Sequence, residues 1–264
     1  MPKVRVDDIQ IYYEVKGEGF PLVMIMGLGG NLEGWDPRLV EGLSKKFKLV
    51  MFDNRGAGRT DISDKEYTTR LFADDTAGLM NTLGISKAHI LGISMGGMIA
   101  QELVLNYPEK VAKLVLWSTC SGGSKDVQSS KEVSRMLTAD TSKMSQEEQK
   151  RMLLPLVLTD DFIEKNPDFV KLAVQLALKH PISEEAYMRQ LNAVRKFNAY
   201  DRLHQIKAPT LILHGRKDVL IPPENGSILA EAIPNAKLVY FEKSAHMLAE
   251  EMREVINVLI DFLD

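Results

Sequence analysis

Hydrophobic positions along the chain change rhythm three times. Residues Lys3–Val6 and Ile11–Val15 alternate apolar with polar and are separated by Asp7-Asp8, the pattern of a hairpin with one face in solvent. The next apolar segments do not alternate. Leu22–Met26, Leu49–Asp53, His89–Ile93, Leu114–Ser118, Thr210–His214 and Leu238–Phe241 are short, nearly continuous runs. A strand covered on both faces has this composition, and sheets buried on both faces are parallel, joined by helical crossovers. Helical spacing over Arg70–Leu83, Met95–Tyr107, Glu224–Ile233 and Ala249–Leu263 supplies crossovers, with stops at Gly84 and Pro108. The expected fold is therefore α/β: an eight-stranded, mostly parallel sheet flanked by helices, with the hairpin at one edge.

Between Ser121 and about Gln205 the strand rhythm stops. Gly122-Gly123-Ser124 opens a polar stretch, followed by helical patterns over Lys131–Ala139, Gln146–Leu158, Asp168–Lys179 and Glu184–Tyr200. An all-helical block between two core strands is most simply an insertion that caps the sheet's edge. Residues 1–120 and 206–264 then form the core, and 121–205 the cap. Met136, Met144, Met152, Met188 and the run from Leu153 to Leu158 make this block apolar. They either pack the cap on itself or line a hydrophobic substrate pocket.

Composition narrows the function classes. At 264 residues the chain can bury a large core, and a formal charge of −3 gives no basic footprint for nucleic acid or anionic membrane. The N-terminus is charged where a signal peptide needs an apolar core, and no apolar run approaches the ~18 residues of a membrane span. A cytoplasmic enzyme is the expectation, without nucleic-acid or membrane partners. The single cysteine, Cys120, excludes an internal disulfide and a cysteine-rich metal site. The sequence carries no signal for oligomeric state.

Candidate chemistry centres on Gly92-Ile93-Ser94-Met95-Gly96, a G-x-S-x-G spacing placed after an apolar strand and before a helical pattern. A sharp strand-to-helix turn exposes the serine oxygen, and its crowding favours residues without side chains two positions either side. Serine needs a base, and the base an orienting acid. Of the histidines, His89 and His214 lie within strands, while His180 and His204 fall in the cap or at its exit. His246 follows the last strand, at the rim where Ser94 must lie. Asp218 follows the Leu211–His214 strand on the same rim, with Asp126 as the fallback acid. Their chain order, Ser94, Asp218, His246, is one known arrangement of such a triad.

With these residues in place the chain resembles the α/β-hydrolase superfamily over nearly its whole length. Asp53-Asn54-Arg55-Gly56-Ala57-Gly58 is similar to the D-x-R-G-x-G turn of many members, and Gly215-Arg216-Lys217-Asp218 and Ala245-His246 are similar to the approaches to acid and base. Within the superfamily it looks most like capped esterases, enol-lactonases and cofactor-free perhydrolases with a Ser-Met-Gly-Gly elbow. The resemblance implies a carboxylic ester hydrolase, an esterase or lactonase acting on a small-molecule ester or lactone through an acyl-enzyme, with no cofactor or metal. The same triad also supports carbon–carbon bond hydrolysis or perhydrolysis, and the scaffold hosts ligand-binding receptors, whose sign is a broken triad.

Where members usually carry His-Gly, this chain reads Met26-Gly27-Leu28-Gly29-Gly30, so the bracing of that loop differs. Backbone amides do not depend on side-chain identity, and the oxyanion donors are assigned to the Leu28 and Met95 N–H groups. Gly29, Trp35, Met136, Leu154 and Met247 are the expected pocket residues, with Trp35 either walling the pocket or packed beneath the loop.

Overall fold

The computed structural model describes residues 3–141 and 143–264. Strands β1 (Lys3–Val6) and β2 (Ile9–Lys16) form the antiparallel hairpin, and β2 continues antiparallel onto β4 (Phe47–Phe52). From there every pairing is parallel, through β3 (Phe20–Ile25), β5 (Ala88–Ile93), β6 (Val111–Trp117), β7 (Thr210–Gly215) and β8 (Lys237–Phe241). The spatial order is β1-β2-β4-β3-β5-β6-β7-β8.

Two core clusters explain why the central strands read as continuous apolar runs. Val23, Ile25, Val50, Phe52, Ile90, Leu114 and Ile212 face one side of the sheet, while Leu22, Met24, Leu49, Met51, Leu91, Val115 and Leu213 face the other. Successive side chains of a strand point to opposite faces, so both parities must be apolar when helices cover both. Helices α1 (Pro37–Leu43) and α10 (Met252–Leu263) cover the second face through Leu39, Leu43, Leu259 and Leu263. The first is covered by α2 (Thr69–Thr82), α3 (Met95–Asn106) and α9 (Glu224–Ala232), which contribute Phe72, Ala77, Ile99, Leu103 and Leu229. The short α1 was not expected from the sequence. Its start is nonetheless encoded, by Asp36 accepting from the Arg38 N–H and by Pro37 in the first turn.

Between β6 and β7 run α4 (Lys131–Leu137), α5 (Gln146–Val157), α6 (Asp160–Lys165), α7 (Pro167–Lys179) and α8 (Glu184–Lys196). Here α6 is the unexpected element, started by the Thr159 hydroxyl accepting from the Phe162 N–H. The chain leaves and re-enters side by side, with an isolated bridge between Gly122 and Asn198 and a bond from the Ala199 N–H to the Ser121 carbonyl, 2.8 Å. Tyr200–Gln205 forms a 3-10 turn whose Leu203 is buried in the main core. Among the described residues no helix is long and apolar enough to cross a membrane.

Candidate active site

Ser94 stands at the β5–α3 junction with φ 56° and ψ −122°, a backbone conformation that side chains disfavour. The surroundings hold it there. Its N–H donates to the Trp117 carbonyl at 2.9 Å, and its carbonyl accepts from the Thr119 hydroxyl at 2.7 Å. A Cβ on Gly92 would collide with the Gly96 carbonyl oxygen, and one on Gly96 with the Ile25 carbonyl oxygen. The two glycines flanking the serine are thus required by close backbone approach. Among the described residues the Ser94 hydroxyl has no hydrogen-bond partner, and it faces a cavity of about 790 Å³.

His246 lines the same cavity. Its carbonyl accepts from the Trp117 indole at 3.0 Å and from the Ser118 hydroxyl at 2.9 Å, so the end of β6 fixes the loop that carries it. Its Nδ1 lies 2.7 Å from Asp218 Oδ2. The other carboxylate oxygen, Oδ1, accepts from the Leu220 and Ile221 N–H groups, each at 2.9 Å. Burial pushes the Asp218 carboxyl up, but attraction to His246 and hydrogen bonds from His214 and His246 outweigh it and hold the group down at about 2. An ionised acceptor at Nδ1 selects the tautomer with the proton there and leaves Nε2 as a base.

His214, expected to pack within the sheet, is fully buried beside this acid. Its Nε2 is 2.9 Å from the Ile221 carbonyl and 3.4 Å from Asp218 Oδ2. The nearest signal in the sequence is the four-residue spacing to Asp218. His89 is buried between Phe20 and Phe47, and burial followed by the Lys113 charge lowers it to about 4. Asp126, the fallback acid, lines the cavity, but its carboxylate accepts from the Ser121 N–H and hydroxyl and from the Gly122 N–H. Cys120 also lines the cavity. Burial, with Asp126 beside it, raises its thiol well above the usual range, which keeps it protonated and inert.

The Leu28 and Met95 backbones both border the cavity. Met95 opens α3, where helix geometry leaves the N–H without an intrahelical acceptor, and the Leu28 N–H has no acceptor among the described residues. The bracing question raised by Met26 has a structural answer. Its carbonyl accepts from the Asn54 side chain at 2.9 Å, and its thioether packs where Gly30 and Gly34 leave room. Gln190 of α8, which sequence reasoning missed, accepts from the Gly29 N–H at 2.9 Å and donates to the Arg55 carbonyl at 3.0 Å. Its signal was a polar residue on the apolar face shared with Ala186 and Ala193.

Of the five expected pocket residues Met247 is on the cavity lining, while Gly29, Met136 and Leu154 are not, and Trp35 takes the second of its two expected places. Gly29 turns toward the Tyr187 ring. Trp35 is buried in the core beneath the loop. On α4 the cavity face is Ser134, Leu137 and Thr138, which leaves Met136 off it; on α5 it is Leu153, Leu156 and Val157, which turns Leu154 into a separate cluster with Leu158 and Phe162. Residues three and four apart share a helix face, so the phase of each helix decides which apolar side chains meet the cavity. Met144 and Met188 are exposed.

A family model described as the alpha/beta hydrolase fold matches residues 21–251. The chain belongs to the α/β-hydrolase fold family. Among curated relatives of this α/β-hydrolase, a protein of Azorhizobium caulinodans named for carbamate hydrolysis is 27% identical, with 98% of this chain and 97% of that protein covered. The 2-hydroxy-6-oxononadienedioate/2-hydroxy-6-oxononatrienedioate hydrolase of Paraburkholderia phymatum is 32% identical, with 97% and 91% covered. Among solved structures, the enol-lactonase from Burkholderia xenovorans LB400 superposes with a TM-score of 0.87 at 25% identity, covering 99% of each chain. These similarities support hydrolysis as the class of chemistry of this α/β-hydrolase.

Proposed function

We propose that the protein is a serine hydrolase that cleaves carboxylic esters or lactones with a small to medium apolar acyl part. The observation that carries this reading is the buried 2.7 Å His246–Asp218 pair opening on the cavity that Ser94 faces with a free hydroxyl. In the first step His246 Nε2 takes the Ser94 proton as the oxygen attacks the carbonyl carbon. The Leu28 and Met95 amides receive the oxyanion, each contributing about 3 kcal/mol of barrier lowering. Collapse expels the alcohol, which takes the proton back from His246, and forms the acyl-serine. Water, deprotonated by the same imidazole, then releases the acid and restores Ser94. The helices of residues 121–205 act as the cap, with Leu137, Leu153, Leu156, Val157 and Leu191 forming an apolar wall against the acyl chain.

A second reading, hydrolysis of a carbon–carbon bond in a vinylogous diketone, is favoured by the 32% identity to a dienedioate hydrolase and by Arg195 on the cavity lining, a cation suited to a substrate carboxylate. A panel of p-nitrophenyl esters and lactones of graded acyl length, with a vinylogous diketone acid alongside, tests both. Turnover of esters or lactones that rises with chain length up to the cavity's capacity is expected. Cleavage of the diketone with no ester or lactone turnover selects the second reading, and no turnover of any of them contradicts both.

A further inference from the structure

The loop that carries the Leu28 amide is held by the helical cap rather than by the sheet alone. Gly30 N–H donates to the Gly27 carbonyl at 3.2 Å, and Gly29 has φ +68° while Leu28 does not have positive φ. This is a type II turn over Gly27–Gly30. The Gly27 carbonyl and the Leu28 N–H belong to one planar trans peptide and point in opposite directions. Turning that carbonyl toward Gly30 therefore turns the Leu28 N–H away from the turn's interior. Type I and type II turns differ by a flip of the middle peptide, the one whose N–H belongs to Gly29. That N–H is the one bound by Gln190.

We propose that Gln190 is a positioning residue for the oxyanion site: by holding the Gly29 N–H its side-chain amide anchors the Gly27–Gly30 turn, and with it the adjoining peptide that carries the Leu28 N–H, and makes the site depend on seating of α8. Gln190 is fully buried, and both ends of its amide are used, Oε1 by Gly29 and Nε2 by the Arg55 carbonyl. These opposite requirements fix the amide's orientation, and a flipped amide would place a donor against a donor and an acceptor against an acceptor. Three residues earlier on the same helix face, Tyr187 packs its ring on Gly29, where a Cβ would come within 3.0 Å of it. Arg55 is itself anchored, its guanidinium paired with Asp75 at 2.6 Å and Asp8 at 2.9 Å, so the far end of the brace does not move. Beyond this brace the loop is tied by Asn54 to the Met26 carbonyl, by Asp53 to the Leu32 N–H and by the Asn31 side chain donating to the His180 carbonyl at 2.9 Å, and none of these bonds reaches the Leu28–Gly29 peptide.

The proposal rests on the ester-hydrolase reading, and its test separates the two. In Gln190→Met, kcat falls roughly 100-fold, the scale of loss for a small misplacement of a reacting group, while KM stays within about twofold. Affinity for a trifluoromethyl ketone, which forms an oxyanion on Ser94, falls in proportion to kcat. Affinity for the matching methyl ketone, which binds without forming one, does not change. A purely structural role would lower thermal stability and leave the ratio of the two ketone affinities as in the wild type; unchanged kcat, or a rise in KM alone, overturns the proposal. If Gln190→Met does not fold, hydrogen exchange of the wild-type amides decides: Gly29 protected and Leu28 fast is expected, and Gly29 exchanging at the rate of a free loop overturns it. A wild type that turns over no ester and does not distinguish the two ketones refutes the ester-hydrolase reading instead.

Discussion

Ser94→Ala lowers kcat on a short p-nitrophenyl ester by at least about 10⁴-fold while the fold persists, because it removes the oxygen that forms the acyl intermediate. The second part of this result is a comparison with Ser94→Gly. At φ 56° and ψ −122° any side chain is strained, and glycine is not. Ser94→Gly is therefore as inactive as Ser94→Ala but more stable than it by about 1 kcal/mol in urea unfolding, the strain released less glycine's extra unfolded-state entropy. A more stable alanine variant would mean that the turn is relaxed in solution and that the hydroxyl is not thrust into the cavity.

The second large effect is Asp218→Asn, which lowers kcat by about 10⁴-fold near neutral pH without loss of substrate affinity. The carboxamide keeps an oxygen for the Leu220 and Ile221 N–H groups but turns a donor toward His246 Nδ1. The imidazole then carries its proton on Nε2 and cannot accept one from Ser94. A loss below tenfold would remove Asp218 from the mechanism. The same substitution changes the response to acid. The Asp218 carboxyl titrates at about 2 in the fold against 3.8 ordinarily, so its ionised form stabilises the native state by about 2 kcal/mol. A depressed folded-state value means that this contribution is complete above about pH 4 and disappears as pH falls through about 2. Unfolding free energy of the wild type should drop across that window more steeply than that of Asp218→Asn, as measured by denaturant titration at successive pH values.

Much of the architecture could be read from the order of polar and apolar residues. Continuous runs such as Leu22–Met26 and His89–Ile93 announce burial on both faces, and the alternation in Lys3–Val6 announces an edge. The placing of Ser94, Asp218 and His246 after β5, β7 and β8 followed from chain order, because parallel strands present their carboxyl ends on one rim. The pocket was harder. Met136 and Leu154 are as apolar as Leu137 and Leu153, and only the rotation of α4 and α5 against the core separates lining from packing. That rotation is set by tertiary contacts such as the Met247 N–H to the Val157 carbonyl, 3.0 Å, which no local pattern encodes. Gln190 illustrates a third case. A glutamine on an apolar helix face marks a buried partner, but the partner, Gly29, lies 161 residues away.

The account depends on a serine oxygen made nucleophilic by the imidazole that lines the same cavity, and covalent trapping tests that most directly. Incubation with a p-nitrophenyl alkylphosphonate followed by intact-mass and peptide analysis should give one equivalent of adduct on Ser94, formed quickly in the wild type and more slowly by orders of magnitude in His246→Ala. Absence of adduct in active-folded protein, labelling at another residue, or equal rates in the two proteins would contradict it.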